Sequence, residues 1–307
     1  MCEKFSIRGG TFMGTIRLQE TTAAFLDLAR IRIAVMVVIS CAVGFLLADK
    51  GTFDIMRFAC ASIGTGLLSG GSCAINCFIE RDLDAIMPRT AGRPIPAGIV
   101  SPQLALSFGI FLIVAGAIFL LNVNILSTVL GLAAVAIYLG LYTPAKRWTW
   151  LNTSIGAVPG AVPPLIGWAA ASGTTSAGGW ILFAILFIWE HTHFLPIAWL
   201  FRDDYRAAGF KMLPVLENSG EKTFVLTIVT AILLLPLSAM LYLTGNPYAG
   251  PAYCLASGIG AFALIFSSAR WRENRSREGA RTVLVLSLLY LPALLVAVVV
   301  DRLWQWT

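Results

Sequence analysis

The sequence predicts an all-α fold, a polytopic membrane protein of nine transmembrane helices. Hydrophobic residues fill 58% of its 307 positions and charged residues only 12%. The mean hydropathy is +0.80, and long apolar stretches alternate with short segments that carry the charge. A surface so poor in charge does not suit a water-soluble protein. The same composition excludes a disordered chain. It also excludes a nucleic-acid-binding domain, because the net charge of +6 comes from few residues confined to short segments; that excess reports membrane topology.

A helix needs about 20 mainly apolar residues to cross a bilayer. Taken in order, such stretches run over residues 31–48, 57–77, 103–121, 124–142, 154–171, 180–200, 223–244, 250–268 and 282–300. The second carries Gly66, Gly70 and Gly71, a small-residue face for close helix approach. The fifth is the least regular, since Pro159, Pro163 and Pro164 interrupt it and suggest backbone opened beside a cavity. Trp148, Trp150, Trp304 and Trp306 fall near span ends, where aromatic belts form.

Charge location tests this map independently. Lys and Arg gather in the N-terminal tail and after spans two, four, six and eight. These segments hold Arg81, Arg89 and Arg93; Lys146 and Arg147; Arg202, Arg206, Lys211 and Lys222; and the group from Arg270 to Arg281. The opposite side has Lys50, Arg57 and Arg302. The positive-inside rule then makes the N-terminus cytoplasmic and the C-terminus external. Residues 1–30 read as a cytoplasmic tail and 31–307 as the nine-span domain. The tail has no apolar run of signal-peptide length. Phe5 to Gln19 is basic and free of acids, but Glu3 and Glu20 flank it and serine is scarce. A bacterial inner membrane therefore fits better than a mitochondrial one.

The six cysteines, Cys2, Cys41, Cys60, Cys73, Cys77 and Cys254, show no C-x2-C spacing, which argues against structural zinc or a disulfide framework. Cys73 and Cys77 stack at i, i+4 and read as small packing residues. The chain has neither a G-x4-G-K-[ST] loop nor an HExxH motif.

The informative chemistry begins where span two leaves the membrane, in the run NCFIERDLDAIMPRTAGRPIPAG from Asn76 to Gly98. Asn76, Glu80 and Asp84 recur at i, i+4 and i+8. A helix drifts only about 40° per such step, so an amide and two carboxylates share one face. Hard oxygen ligands of this kind suit Mg2+, which leaves positions open to water and a diphosphate. Asp82 points elsewhere. Acids are rare in this chain, so their clustering favours a site over a merely solvated helix end. Arg89 and Arg93, in the Pro-rich loop that follows, read either as phosphate clamps or as positive-inside anchors.

This run resembles the first motif of the UbiA-type intramembrane prenyltransferases, N-x3-D-x3-D after the second span, with Glu80 standing where Asp is usual. The resemblance implies nine spans and two acidic loops on the cytoplasmic side. Within the superfamily, three segments resemble the protoheme IX farnesyltransferase, or heme O synthase, branch. They are ERDLDAIMPRTAGRPIPAG, then LYTPAKRWTWLNTSIGAVPGAVPPLIGWAAASG from Leu141 to Gly173, then HFLPIAWLFRDDYRAAGFKMLPV from His193 to Val215. One departure precedes the third: Trp189, Glu190, His191, Thr192, His193, Phe194, where the branch reads W-T-P-P-H-F.

The resemblance makes Asp203 and Asp204 the second acidic segment, although position 208 is alanine and no D-x3-D is formed. It implies catalytic roles for Asn76, Glu80, Asp84, Asp203 and Asp204, with Asn76, Glu80, Asp84 and Asp204 as metal ligands. The implied diphosphate contacts are Arg89, Arg93, Lys146, Arg147, Arg202 and Tyr205; Lys146 and Arg147 serve equally well as positive-inside anchors.

The only histidines, His191 and His193, lie with Glu190 inside span six. Ionisable groups within a span usually face a polar interior or a cofactor, and neutral imidazole is a common axial ligand of heme iron. His193 matches the histidine of the branch and is assigned heme contact. His191 is the second heme-binding candidate, but about 200° separates the two on a regular helix, so they cannot share one iron. Glu190 either pairs with a histidine or handles a proton.

The activity implied is Mg-dependent transfer of farnesyl from farnesyl diphosphate to a vinyl group of heme b, giving heme O. Mg2+ is the expected cofactor. The expected partners are the two substrates, the lipid bilayer and heme-copper oxidase assembly factors, with no nucleic acid. The alternatives are a related enzyme acting on a quinone-precursor aromatic or another tetrapyrrole, and a secondary transporter. Transport fits less well, since most polar groups gather at one face instead of the midplane.

Overall fold

The computed structural model describes residues 21–49, 51, 53–217, 219–245 and 249–304. Cys2, Lys50, Trp306 and the first twenty residues of the expected tail lie outside the described residues. Among those described, nine helices are long and apolar enough to cross a membrane. They are α1 Ile31–Ala48, α2 Ile55–Ile79, α3 Pro102–Leu121, α4 Ile125–Trp148, α5 Asn152–Ser172, α6 Ala177–Leu200, α7 Glu221–Leu243, α8 Pro251–Asn274 and α9 Arg277–Trp304.

Every expected span is present, and the differences lie at the ends. Helices α8 and α9 continue through the charged segment after residue 268, interrupted at Arg275, whose φ of 50° is left-handed. Charge marks where hydrocarbon ends, not where helical hydrogen bonding ends. Helix α5 runs unbroken through Pro159, Pro163 and Pro164, so the expected opening of its backbone does not occur. Each proline removes one N–H, and the helix is held by packing against α1, α2, α4 and α6.

Small residues set the crossings, as expected where lipid offers no hydrophobic drive between helices. Helices α2 and α3 meet through backbone at Gly71 and Gly109: a Cβ on Gly71 would lie 2.6 Å from the Gly109 carbonyl oxygen. Helices α1 and α5 meet more closely still, where a Cβ on Gly44 would lie 1.9 Å from the Pro164 carbonyl oxygen. The outward faces carry exposed Phe111, Ile118, Phe262 and Phe266, which suits contact with lipid.

One end of the bundle is locked by charge. Buried Asp301 of α9 accepts hydrogen bonds from the N–H groups of Gly250 (2.8 Å), Ala252 (3.0 Å) and Tyr253 (2.8 Å), capping α8 from a neighbouring helix. Arg302 pairs with Asp49 at 3.0 Å. At the opposite end, a helix over residues 21–28 packs Ala24 and Leu28 against Ala74 and Cys77 of α2 and Ala105 of α3. The last part of the expected tail is thus seated on the bundle.

Candidate active site

Helix α2 ends at Ile79, and Glu80, at φ −93° and ψ 7°, joins it to a short helix, Arg81–Ile86. Hydrogen bonding continues across the junction: Glu80 N–H donates to the Asn76 carbonyl at 2.9 Å, and Asp84 N–H to the Glu80 carbonyl at 2.8 Å. The i, i+4, i+8 series is therefore carried on a helix that bends at its middle member. Asn76, Glu80 and Asp84 are 0%, 4% and 1% exposed, which decides against a solvated helix end.

Each carboxylate is met by one cation. Lys146 Nζ donates to both oxygens of Glu80, at 2.8 and 2.9 Å, and Arg93 donates to Asp84 Oδ2 at 2.6 Å. Asn76 Nδ2 donates to Thr143 Oγ1 at 3.1 Å, and that hydroxyl donates to the Tyr138 carbonyl at 2.9 Å. Asn76 Oδ1 and Asp84 Oδ1 remain buried with no hydrogen-bond partner. Buried polar atoms nearly always find one. Two unpartnered hard oxygens, with the Glu80 carboxylate between them in sequence, are the donor type that Mg2+ takes. Among the described residues no three His, Cys, Asp or Glu side chains form a metal-binding group, so the donor set depends on the Asn76 amide.

Lys146 reaches Glu80 because of how α4 ends. Residues Ile137–Tyr142 form a π-helix, a widened turn often found at functional sites, after which helix resumes over Thr143–Trp148. The Lys146 ammonium lies 4.6 Å from the Tyr142 ring centroid and 5.8 Å from that of Phe210. Phe210 belongs to the segment after α6, which is tied back to α4 by a hydrogen bond from Lys211 N–H to the Lys146 carbonyl at 2.7 Å. The two acidic segments also meet at Arg89, whose guanidinium stacks 4.5 Å from the Phe201 centroid and 5.1 Å from that of Tyr205.

The second acidic segment folds as a short helix, Arg202–Ala207. Asp203 is exposed and paired with Arg206 at 2.8 Å, apart from the buried cluster. Asp204 is half-buried and Arg147 exposed. Arg202 turns onto the Trp199 ring at 4.3 Å. The sequence reading missed Tyr142, Thr143 and Phe210, and it missed Arg30, whose side chain lies among Cys73, Cys77 and Tyr138. The aromatic residue and proline just ahead of Lys146 were the available signal for the first two.

Deeper in α6, the two histidines part company as helix geometry requires. His191 Nδ1 is 2.7 Å from the Phe187 carbonyl, which only accepts, so Nδ1 carries the proton and Nε2 accepts from Ser154 Oγ at 2.9 Å. Both ring nitrogens are engaged. His193 stacks on Trp189 with centroids 4.9 Å apart, and its Nδ1 is 2.9 Å from Ser287 Oγ. That hydroxyl donates to the Leu284 carbonyl at 2.7 Å, so His193 Nδ1 donates to it and the Nε2 lone pair stays unused. Glu190 pairs with neither histidine. It is 8% exposed and packs against Gly160 of α5, where a Cβ would fall 1.6 Å from its Oε1.

Residues 37–294 match the sequence profile of the UbiA prenyltransferase family. The chain is 38% identical over 288 residues to a protoheme IX farnesyltransferase of Solibacter usitatus, covering 91% of this chain and 98% of that one. Its fold is similar to that of a digeranylgeranylglyceryl phosphate synthase, with a TM-score of 0.76 at 18% identity over 92% of this chain and 98% of that one. It is also similar to a UbiA homologue from Archaeoglobus fulgidus solved with GPP and Mg2+, with a TM-score of 0.64 at 15% identity over 90% and 99% of the two chains. With that profile spanning most of its length and nine membrane-crossing helices, the chain is an integral membrane protein that belongs to the UbiA prenyltransferase family.

Proposed function

We propose that this protein transfers the farnesyl group of farnesyl diphosphate to a vinyl group of heme b, giving heme O and diphosphate. The observation that carries the acceptor is the 38% identity, over nearly the whole of both chains, to a protoheme IX farnesyltransferase. A UbiA homologue solved with GPP and Mg2+ supports a prenyl diphosphate and that metal for this fold. The setting is a bacterial plasma membrane with the N-terminus and both acidic segments cytoplasmic, a reading supported by the Lys and Arg distribution.

The unpartnered oxygens of Asn76 and Asp84, with Glu80 and with Asp204 from the facing segment, would hold Mg2+. When bound, Mg2+ supplies positive charge against the departing diphosphate. Lys146 and Arg93 neutralise Glu80 and Asp84, and each would be available to a phosphate oxygen were its carboxylate to hold metal. Buried charge would then stay compensated, as a low-dielectric site requires. Arg89, held by Phe201 and Tyr205, presents a further cation where the two acidic segments meet. Asp203 pairs with Arg206 within its own short helix.

The C1–O bond of the farnesyl diphosphate breaks and its electron pair leaves on the diphosphate. The vinyl π electrons form the new C–C bond, leaving a cation beside the porphyrin ring, which is captured by the oxygen of water with loss of one proton. The apolar walls of the bundle keep water from the allylic cation before that point. His193, held by Trp189 and Ser287, would offer Nε2 to the heme iron when that substrate is bound.

The test is to incubate purified protein with farnesyl diphosphate, heme b and Mg2+ and to weigh the heme product. A heme heavier by one farnesyl group and one hydroxyl, formed only with metal, is expected. Diphosphate release with unmodified heme would overturn the assignment of the acceptor.

A further inference from the structure

Arg30 stands between the helix over residues 21–28 and the first span, α1, with φ 46° and ψ 58°. This left-handed backbone is uncommon for a residue with a Cβ and persists only where the surroundings fix it. Ala24 and Leu28 anchor the preceding helix on α2 and α3, and the turn at Arg30 follows that anchor directly. Its side chain lies among Cys73 and Cys77 of α2 and Tyr138 of α4. No acid meets it there. Among the described residues its polar neighbours are two thiols and a phenol, with Cys77 as its hydrogen-bond partner, and a thiol sulfur is a weak acceptor.

The carboxylates nearby are already taken, Glu80 by Lys146 and Asp84 by Arg93. Arg30 and Lys146 lie close enough for their charges to repel. The cluster thus gathers three cations for two carboxylates, an excess that a low-dielectric site holds only for an anion. Arg30 keeps part of its surface open. Depth decides which anion it meets. Helices α2 and α4 both run toward the end of the bundle that carries the acidic segments. Cys73 and Cys77 come before Glu80 on the first, and Tyr138 comes about two turns before Lys146 on the second, so Arg30 is set deepest of the three cations. A prenyl chain lies in the apolar bundle, which puts the phosphate bonded to its C1 below the other.

We propose that Arg30 donates to the phosphate oxygen bonded to farnesyl C1 and meets the charge that forms on it as the C1–O bond breaks. This rests on the reading above that the site ionises farnesyl diphosphate. The electron pair of the broken bond stays on that oxygen, the guanidinium N–H groups face it, and no proton is transferred, because guanidinium keeps its protons throughout. An acceptor carboxylate is the other anion that a guanidinium could hold. Heme carries its carboxylates on the edge away from its vinyl groups, so a vinyl group placed at C1 takes them away from Arg30.

The experiment compares Arg30→Asn with the unaltered protein in the full membrane enzyme, asparagine being a side chain that tolerates left-handed backbone. It reads diphosphate release from farnesyl diphosphate, and the affinity for inorganic diphosphate with Mg2+. The expected result is a kcat lowered about 100- to 1000-fold with KM for farnesyl diphosphate little changed, as when one donor to a developing charge is lost. Inorganic diphosphate carries on that oxygen the charge that the ester lacks, and should bind roughly 10- to 100-fold more weakly. Arg30→Lys keeps the charge without the planar fork and should recover part of both. Wild-type kcat in Arg30→Asn overturns the proposal. So does heme binding weakened at unchanged diphosphate affinity, which would give Arg30 to a carboxylate of the acceptor. A kcat loss that Arg30→Lys does not recover, with diphosphate affinity unchanged, marks a structural role and overturns it too. Should Arg30→Asn fail to fold, Arg30→Lys decides alone: a fall in both readings supports the proposal and wild-type values overturn it. If the unaltered protein neither binds diphosphate with Mg2+ nor releases it from farnesyl diphosphate, the parent reading fails instead.

Discussion

The Asp84–Arg93 pair is asymmetric, and its two halves should respond differently to mutation. The Asp84 side chain is 1% exposed and that of Arg93 22%. Arg93→Met leaves a carboxylate buried without its counter-ion, which costs about 3–5 kcal/mol when a buried pair is broken from one side. Asp84→Asn leaves a guanidinium that already reaches solvent, so its stability cost is expected near 1 kcal/mol, the range of exposed pairs. Turnover should fall in the opposite order. Asp84→Asn keeps shape but loses the charge that would bind metal, and diphosphate release should drop by about 100- to 1000-fold, as when one electrostatic contact to a transition state is removed. Mg2+ should also raise the melting temperature of Arg93→Met more than that of the unaltered protein, because a cation bound beside Asp84 replaces the lost charge and stabilises the folded state by linkage. Thermal unfolding in detergent across a Mg2+ titration, with diphosphate release measured in parallel, reads all of these. Wild-type turnover in Asp84→Asn would remove Asp84 from the metal site, and an Arg93→Met protein that melts with the wild type would show that the pair does not compensate a buried charge.

Other outcomes follow from the same geometry. Asp301→Ala strips three backbone N–H groups of α8 of their acceptor and should cost roughly 2–4 kcal/mol, leaving the metal requirement unchanged; guided unfolding of the variant against wild type in detergent checks it. Gly44→Ala forces α1 away from the Pro164 carbonyl, 1.9 Å from the new Cβ, and should sharply lower the yield of folded protein, whereas Gly140→Ala, which meets nothing within 4 Å, should not. His193→Ala should weaken heme binding and alter the Soret band, while His191→Ala, whose ring nitrogens are both engaged, should leave the band in place.

The nine spans were legible because hydrocarbon imposes a length and a composition that no other environment does. The first acidic motif was legible for a related reason: Asn76, Glu80 and Asp84 sit at helical spacing in a chain where acids are scarce. The bend at Glu80 was not, since nothing in the pattern distinguishes a straight helix from two joined through a capping residue. The π-helix over Ile137–Tyr142 was equally silent, and with it the reach of Lys146 to Glu80, an ion pair between residues far apart in sequence. Arg30 was counted as tail charge because position relative to a span says nothing about which way a side chain turns. Pro159, Pro163 and Pro164 suggested a broken helix, but α5 runs unbroken, packed against its neighbours. Asp203 and Asp204 stand side by side in sequence, and only burial separates the exposed one from the half-buried one.

The proposed farnesyl acceptor is heme b. Its most direct test offers two acceptors to the purified protein in one vessel, heme b and a hydroxylated aromatic acid, with farnesyl diphosphate and Mg2+, and weighs both after reaction. Farnesyl is expected on the heme alone, and chelation of the metal should abolish its transfer. Farnesyl on the aromatic acid, with the heme unchanged, would contradict it.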